Sequence, residues 1–88
     1  MDIIIVDDTQ TAIDALVKKL KNYPNVTVAG FANNGKDGLE LWKHFQPDVI
    51  VSDIDMPIMD GIEMVKKIRE IDGDTIILLT TGLTSPKN

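Results

Sequence analysis

Four apolar segments alternate along the chain with three segments of helical periodicity. The predicted strands cover residues 2–6, 26–31, 49–52 and 75–79. Three of them lack alternation of apolar and polar residues, which is typical of strands buried on both faces of a parallel sheet. The segment 26–31 alternates in part, so it predicts an edge strand.

The helical segments place apolar residues three and four positions apart. The first has Thr9 or Thr11 as a candidate N-cap and ends before Pro24. The second covers residues 36–45 and the third covers residues 61–71, with Gly73 as the breaker. The predicted inner faces are Ala12, Ile13, Leu16, Val17 and Leu20 in the first helix, Gly38, Leu41, Trp42 and Phe45 in the second, and Ile62, Val65, Ile68 and Ile71 in the third.

The resulting order of strands and helices is that of an α/β protein with a doubly wound parallel sheet. Each right-handed crossover lays one helix back on the sheet. The 88 residues suffice for one small domain. We expect this domain to span residues 1–81 and a short C-terminal tail to span residues 82–88.

Composition narrows the possible functions. The net charge is −5 and the basic residues are scattered, which argues against direct binding of nucleic acid. The chain has no cysteine and one histidine, His44, so a metal site must use oxygen ligands. Its apolar runs are far shorter than the ~20 residues that span a membrane. We therefore expect a cytoplasmic protein without a membrane partner.

Acidic and hydroxyl residues follow three of the predicted strands. Asp7 and Asp8 come after the first strand, Asp53 and Asp55 after the third, and Thr80 after the fourth. Ligands of open parallel sheets bind beyond the carboxyl ends of the strands, so these residues predict one site. Clustered carboxylates repel each other unless a cation is bound, and Mg²⁺ prefers such oxygen ligands.

The chemistry that suits this set is phosphoryl transfer to a carboxylate, with Thr80 donating to a phosphoryl oxygen. Added phosphate charge would make the site a covalent switch. Some of these motifs also have a purely structural interpretation. Asp7 and Asp8 are also typical of a helix N-cap, and Asp60 with Gly61 is typical of a turn in which glycine permits an unusual backbone angle.

Three segments together identify a family. Residues 4–8 (Ile-Ile-Val-Asp-Asp), residues 47–61 with the spacing Asp, Met-Pro, Met-Asp-Gly, and residues 76–80 resemble the receiver domain of two-component response regulators. The resemblance implies a flavodoxin-like (CheY-like) fold with Asp53 as phosphoacceptor and Thr80 as switch hydroxyl. It implies Mg²⁺ bound by Asp7, Asp8 and Asp53 and by the backbone carbonyl of Asp55.

The resemblance also implies a phosphohistidine donor, either a sensor histidine kinase or a phosphotransfer protein. Beyond slow loss of its own phosphate, the domain is not expected to be an enzyme. Thr81 stands where the family prefers a small residue, which would restrict attacking water.

The chain departs from the family pattern after the fourth strand. Receivers have roughly 120 residues in five strands and five helices, near the common domain size. We expect a receiver truncated after its fourth strand, with Ser85 at best in the place of the usual lysine. Switching would then be impaired. The bared sheet edge or face predicts a homodimer formed by edge pairing, face packing or exchange of elements.

Three functions remain open from the sequence. The first is a phosphorylatable receiver that signals through protein contacts. The second is a noncatalytic interaction or dimerisation module, and the third is a magnesium-dependent phosphatase of similar topology. The third is disfavoured because such enzymes separate their two acids by one residue, whereas Asp7 and Asp8 are adjacent.

Overall fold

Four parallel strands form a single sheet in the computed structural model, which describes residues 1–80. The strand order is β2-β1-β3-β4. The predictions on Thr81, on the domain boundary and on the segment 82–88 lie outside the described residues. The elements are β1 Asp2–Val6, α1 Gln10–Leu20, β2 Thr27–Ala32, α2 Gly35–Phe45, β3 Val49–Asp53, α3 Gly61–Arg69 and β4 Ile76–Thr80.

This order confirms the doubly wound architecture and the place of β2 at an edge. In the central strand β1, Ile4 and Val6 pack on the side covered by α2 and α3, whereas Ile3 and Ile5 pack with Ile13 of α1. Because both faces of the strand are buried from Ile3 to Val6, apolar residues occupy all four of these positions. None of the helices within residues 1–80 is long and apolar enough to cross a membrane.

Helix α3 corrects one predicted face. It ends at Arg69, and Met64 and Ile68 are fully buried. These two residues are four positions apart and follow the buried Gly61, so they define the inner face. Ile62 and Ile71, which the sequence placed on that face, are exposed. Ile71 lies beyond the end of the helix, where the helical repeat no longer positions it.

Helix α2 also differs from the predicted face. It buries Gly38, Leu39 and Trp42, and the sequence analysis omitted Leu39. Leu41 and Phe45 lie at the side of this face, over Gly30 of the edge strand β2. Phe45, which the sequence placed on the inner face, is exposed.

The two edges of the sheet differ in regularity. Along β2 the register with β1 shifts, since Ile3 pairs with Val28 and Ile4 pairs with Gly30. Such a bulge interrupts the edge. Strand β4 pairs with β3 in unbroken register, and its Ile76 and Leu78 are 56% and 53% exposed. The predicted apolar edge is thus confirmed for the described part of the chain.

Two consecutive hydrogen bonds, one buried and one partly buried, lie at the end of the sheet opposite the strand carboxyl ends. The indole Nε1 of Trp42 donates to Oγ1 of Thr75 at 3.0 Å, and Thr75 Oγ1 donates to the Asp72 carboxylate at 2.6 Å. The hydroxyl and amide donors that bind Asp72 lower the pKa of its carboxyl group. These two hydrogen bonds connect α2 to the segment that precedes β4.

Candidate functional site

Three carboxylates meet at the carboxyl ends of β1 and β3. One oxygen from each of Asp7, Asp8 and Asp53 lies within 4.8 Å of the other two. The parallel pairing of β1 with β3 produces this arrangement, because Val6 and Ser52 are register partners and the acids follow them. The structure therefore brings together three of the residues that the sequence assigned to one site, and their roles there stay a prediction.

The backbone orients two of the three carboxylates. Oδ1 of Asp7 accepts the Thr9 N–H at 2.9 Å, and Oδ1 of Asp53 accepts the Ile54 N–H at 2.7 Å. No hydrogen bond within residues 1–80 occupies the second oxygen of either group. Each fixed side chain therefore keeps an oxygen free for a ligand.

The alternative role of these acids as helix caps does not fit α1. Its N-cap residue is Thr9, whose side chain makes no capping hydrogen bond. Asp7 bonds the N–H of Thr9 itself, which lies before the first helical turn. Neither Asp7 nor Asp8 thus satisfies a free N–H group of that turn.

The electrostatics of the cluster favour a cation. Burial raises the pKa of the Asp7 carboxyl group, and the negative charges of Asp53 and Asp8 raise it further, against the lowering effect of the Thr9 N–H. The one ion pair within residues 1–80 joins Lys43 to Glu40, away from this cluster. All the donors are carboxylate oxygens, which is the ligand chemistry that Mg²⁺ requires. The residues present therefore fit the ion.

Thr80 is the register partner of Asp53 across the β3–β4 pair. Together with Asp7 and Asp53 it lines a cavity of about 340 Å³ between α1 and the sheet. Its hydroxyl lies 3.4 Å from the Ser52 carbonyl oxygen, which is a long hydrogen bond that a stronger acceptor can replace.

Asp55 does not join the carboxylate cluster. Its side chain is exposed, and it lines a second, shallow cavity of about 500 Å³ with Asp8, Met56, Pro57 and Asp60. The predicted role of Asp55 concerned its backbone carbonyl, and that role stays a prediction. The second cavity places the β3–α3 loop along the mouth of the site.

Two glycines fix the β3–α3 loop, and the sequence analysis missed their role. Gly61 donates its N–H to the Ile54 carbonyl at 2.8 Å, and an added Cβ would lie 2.3 Å from the Asp53 carbonyl oxygen. Gly35 donates to the Met59 carbonyl at 2.7 Å, and its Cβ would lie 2.4 Å from that oxygen.

The expected unusual backbone angle at Gly61 was wrong. Gly61 is the first residue of α3, and its φ lies outside the left-handed region. Glycine is required at position 61 because the residue closely approaches the Asp53 backbone. Gly35, at the start of α2, closely approaches the Met59 backbone in the same way. A glycine following Asp60 was visible in the sequence, but only the fold reveals which backbone it contacts.

Comparison with known proteins gives one consistent family. Residues 3–88 match the family described as response regulator receiver domain. Among solved structures, the chain is similar to the signal receiver domain of the response regulator NarL from Mycobacterium tuberculosis, with 32% identity and a TM-score of 0.87 over 97% of this chain and 68% of that one. The response regulator domain of Thermotoga maritima CheB gives 32% identity and a TM-score of 0.87, over 97% and 63%.

Curated relatives are larger proteins. A protein-glutamate methylesterase/protein-glutamine glutaminase from Methanosarcina mazei is 38% identical over 89% of this chain and 22% of its own length. One from Photobacterium profundum is 40% identical over 93% of this chain and 21% of its own length. The chain thus spans about a fifth of each of these two relatives.

Proposed function

The chain belongs to the response regulator receiver domain family, and from that premise we propose that Asp53 is its phosphoacceptor. As a receiver, it has the phosphoacceptor role of two-component signalling; the residue that fills the role is the proposal. The supporting observation is the convergence of Asp7, Asp8 and Asp53 within 4.8 Å. The methylesterase activity named for the larger relatives is not part of the proposal, because this chain matches about a fifth of their length.

In the proposed reaction, the free carboxylate oxygen of Asp53 attacks the phosphorus of a phosphohistidine. The new P–O bond forms as the P–N bond breaks, and the histidine nitrogen keeps the electron pair and takes up a proton. The hydrogen bond from the Ile54 N–H holds the other oxygen of Asp53 and so orients the nucleophile. The donor is a sensor histidine kinase or a phosphotransfer protein.

Asp7, Asp8 and Asp53 are the proposed ligands of Mg²⁺, with the Asp55 backbone carbonyl as a further one. When bound, the ion neutralises charge on the phosphoryl group during transfer. Thr80 donates its hydroxyl to a phosphoryl oxygen and releases the Ser52 carbonyl. That movement at the end of β4 is the proposed switch, read by partner proteins in the cytoplasm, and slow hydrolysis of the acyl phosphate resets it.

Mass spectrometry of the intact protein tests this assignment. Incubation with acetyl phosphate and Mg²⁺ should add one phosphoryl group to the wild type and none to Asp53→Asn. Asp74→Asn is the matched control, because Asp74 is exposed at the opposite end of the sheet and should label normally. An unlabelled wild type, or a label that survives in Asp53→Asn, refutes the assignment.

We also propose that a second copy of the chain covers the β4 edge. Within residues 1–80 no strand pairs with the outer edge of β4, and the apolar side chains of Ile76 and Leu78 are exposed on one face of this strand. Sedimentation velocity at micromolar concentration should find dimers in the wild type and monomers in Leu78→Glu. Phe31→Glu, on the exposed side of β2, should remain dimeric. A monomeric wild type refutes this proposal.

A further inference from the structure

Ile58, in the middle of the β3–α3 loop, is strained and solvent-exposed at the same time. Its φ is 70°, and it is 76% exposed, the highest value among the large exposed hydrophobic residues of the described chain. A β-branched residue with positive φ is a genuine conformational outlier, because its side chain crowds the backbone in the left-handed region.

The local hydrogen bonds define the strained turn. The Met59 N–H donates to the Pro57 carbonyl at 2.7 Å, which closes a three-residue γ-turn with Ile58 at its centre. A positive φ at the central residue makes this the rare form of the turn. The Met59 carbonyl is in turn held by the Gly35 N–H, so helix α2 fixes the turn from below.

Within the described residues, no burial of the Ile58 side chain compensates for this strain. The neighbours Met56 and Met59 are partly buried and pack on the core, whereas Ile58 is left in solvent. Glycine or asparagine would adopt the same backbone angle at lower cost. At Gly35 and Gly61, in the same region, glycine does occupy the positions where the backbone requires it. The side chain of Ile58 therefore has no structural role that the folded domain reveals.

The loop that carries Ile58 also borders the route to the acceptor. Met56 and Pro57, which precede it, line the shallow cavity together with Asp8 and Asp55. A protein that delivers a phosphoryl group to Asp53 must approach this edge of the sheet. Because the turn is anchored to α2, the side chain is held out in one position and loses little freedom when it is bound.

We propose that Ile58 is a docking contact for the protein that donates the phosphoryl group. The complementary surface is an apolar pocket beside the phosphohistidine. This inference rests on the proposed function, since it takes Asp53 as the acceptor. It adds a specificity contact that acts on protein donors and not on small ones.

Parallel transfer reactions with two kinds of donor test the inference. A set of purified, autophosphorylated sensor kinases is first screened against the wild type, and the kinase with the fastest transfer is retained. Ile58→Ala and Ile58→Gly should lower its kcat/KM for transfer by about tenfold, as expected for a buried interface anchor. Labelling by acetyl phosphate should not change, and Ile71→Ala, another exposed isoleucine far from the site, should leave both reactions unchanged.

The outcomes separate the two proposals. If acetyl phosphate does not label Asp53, the proposed function fails. If acetyl phosphate labels Asp53 but no kinase does, or if the Ile58 variants react normally with the kinase, the docking contact is refuted. Equal losses with both donors also refute it, because they would indicate a structural role. Thermal unfolding should find Ile58→Gly at least as stable as the wild type, so misfolding does not account for its slower transfer.

Discussion

Substituting Asp7 by asparagine should stabilise the chain in a chelator and destabilise it, relative to wild type, in Mg²⁺. The side chain keeps its size, and its amide oxygen can still accept the Thr9 N–H. What changes is the charge of the carboxylate cluster, which falls by one unit. The variant thus separates repulsion within the cluster from the hydrogen bonding that shapes it.

The distances set the size of the effect. Two unit charges 4.8 Å apart repel by ~3.5 kcal/mol at an effective dielectric constant of 20, and by ~0.9 kcal/mol in bulk water. Asp7 is partly buried and Asp8 is exposed, so solvent screens much of the repulsion. We expect Asp7→Asn to raise the free energy of unfolding by about 1–2 kcal/mol at neutral pH without divalent ions. In a domain of this size, each 1 kcal/mol raises Tm by ~4–8 °C.

The pH dependence of stability predicts independently that Asp7→Asn is stabilising at neutral pH. The pKa of Asp7 is raised above its ordinary value of 3.8, so the folded chain holds this proton more tightly than the unfolded chain does. The resulting stability is fully present below pH 3.8 and is lost as the pH rises through the raised pKa. The advantage of Asp7→Asn should therefore be absent in acid and develop as the pH approaches neutrality.

Magnesium should reverse the order of stability. An ion at a hundred times its Kd stabilises the folded state by ~2.7 kcal/mol, and the variant, with one ligand fewer, gains less. Thermal unfolding followed by circular dichroism, in chelator and in Mg²⁺ across the pH range, measures each value. Asp74→Asn should follow the wild type in every condition. An Asp7→Asn protein that is less stable than the wild type in chelator at neutral pH contradicts the reasoning.

Two further substitutions test the supports of the fold. Gly61→Ala should lower the free energy of unfolding by about 1–3 kcal/mol and slow labelling by acetyl phosphate, because the new methyl group overlaps the Asp53 carbonyl oxygen. Gly73→Ala is the control and should be neutral, because Gly73 has open space around it. Equal stability of the two variants in urea unfolding would contradict the predicted overlap at Gly61. Thr75→Val should lower the free energy of unfolding by about 1–3 kcal/mol, because it leaves the buried indole N–H of Trp42 unpaired. Urea unfolding, followed by the fluorescence of this single tryptophan, measures the effect, and an unchanged urea midpoint would refute the prediction.

The strands and the acidic cluster could be predicted because their signals are local and redundant. Uninterrupted apolar runs mark strands buried on both sides, and parallel pairing then brings the residues after β1 and β3 together whatever the helices do. The prediction of Asp7, Asp8 and Asp53 as neighbours needed only the topology. Thr80 followed in the same way from the end of β4.

The helix faces were less accessible, because apolar residues occur on more than one side. In α3, apolar residues three positions apart predicted the inner face, but Met64 and Ile68 are the buried ones and Ile62 and Ile71 are exposed. The γ-turn could not be predicted at all. Isoleucine has no preference for positive φ, so the residue type at position 58 does not indicate a γ-turn.

The unequal edges of the sheet set a limit to assembly. If two chains pair through β4, the outer strands of the joined sheet are the two copies of β2, and each is interrupted by the register shift before Gly30. A further chain then finds no regular edge to extend. Pairing between like edges closes on itself, whereas a sheet with two regular edges could grow into a fibre. If the proposed pairing through β4 occurs, the bulge in β2 should therefore limit it to two chains.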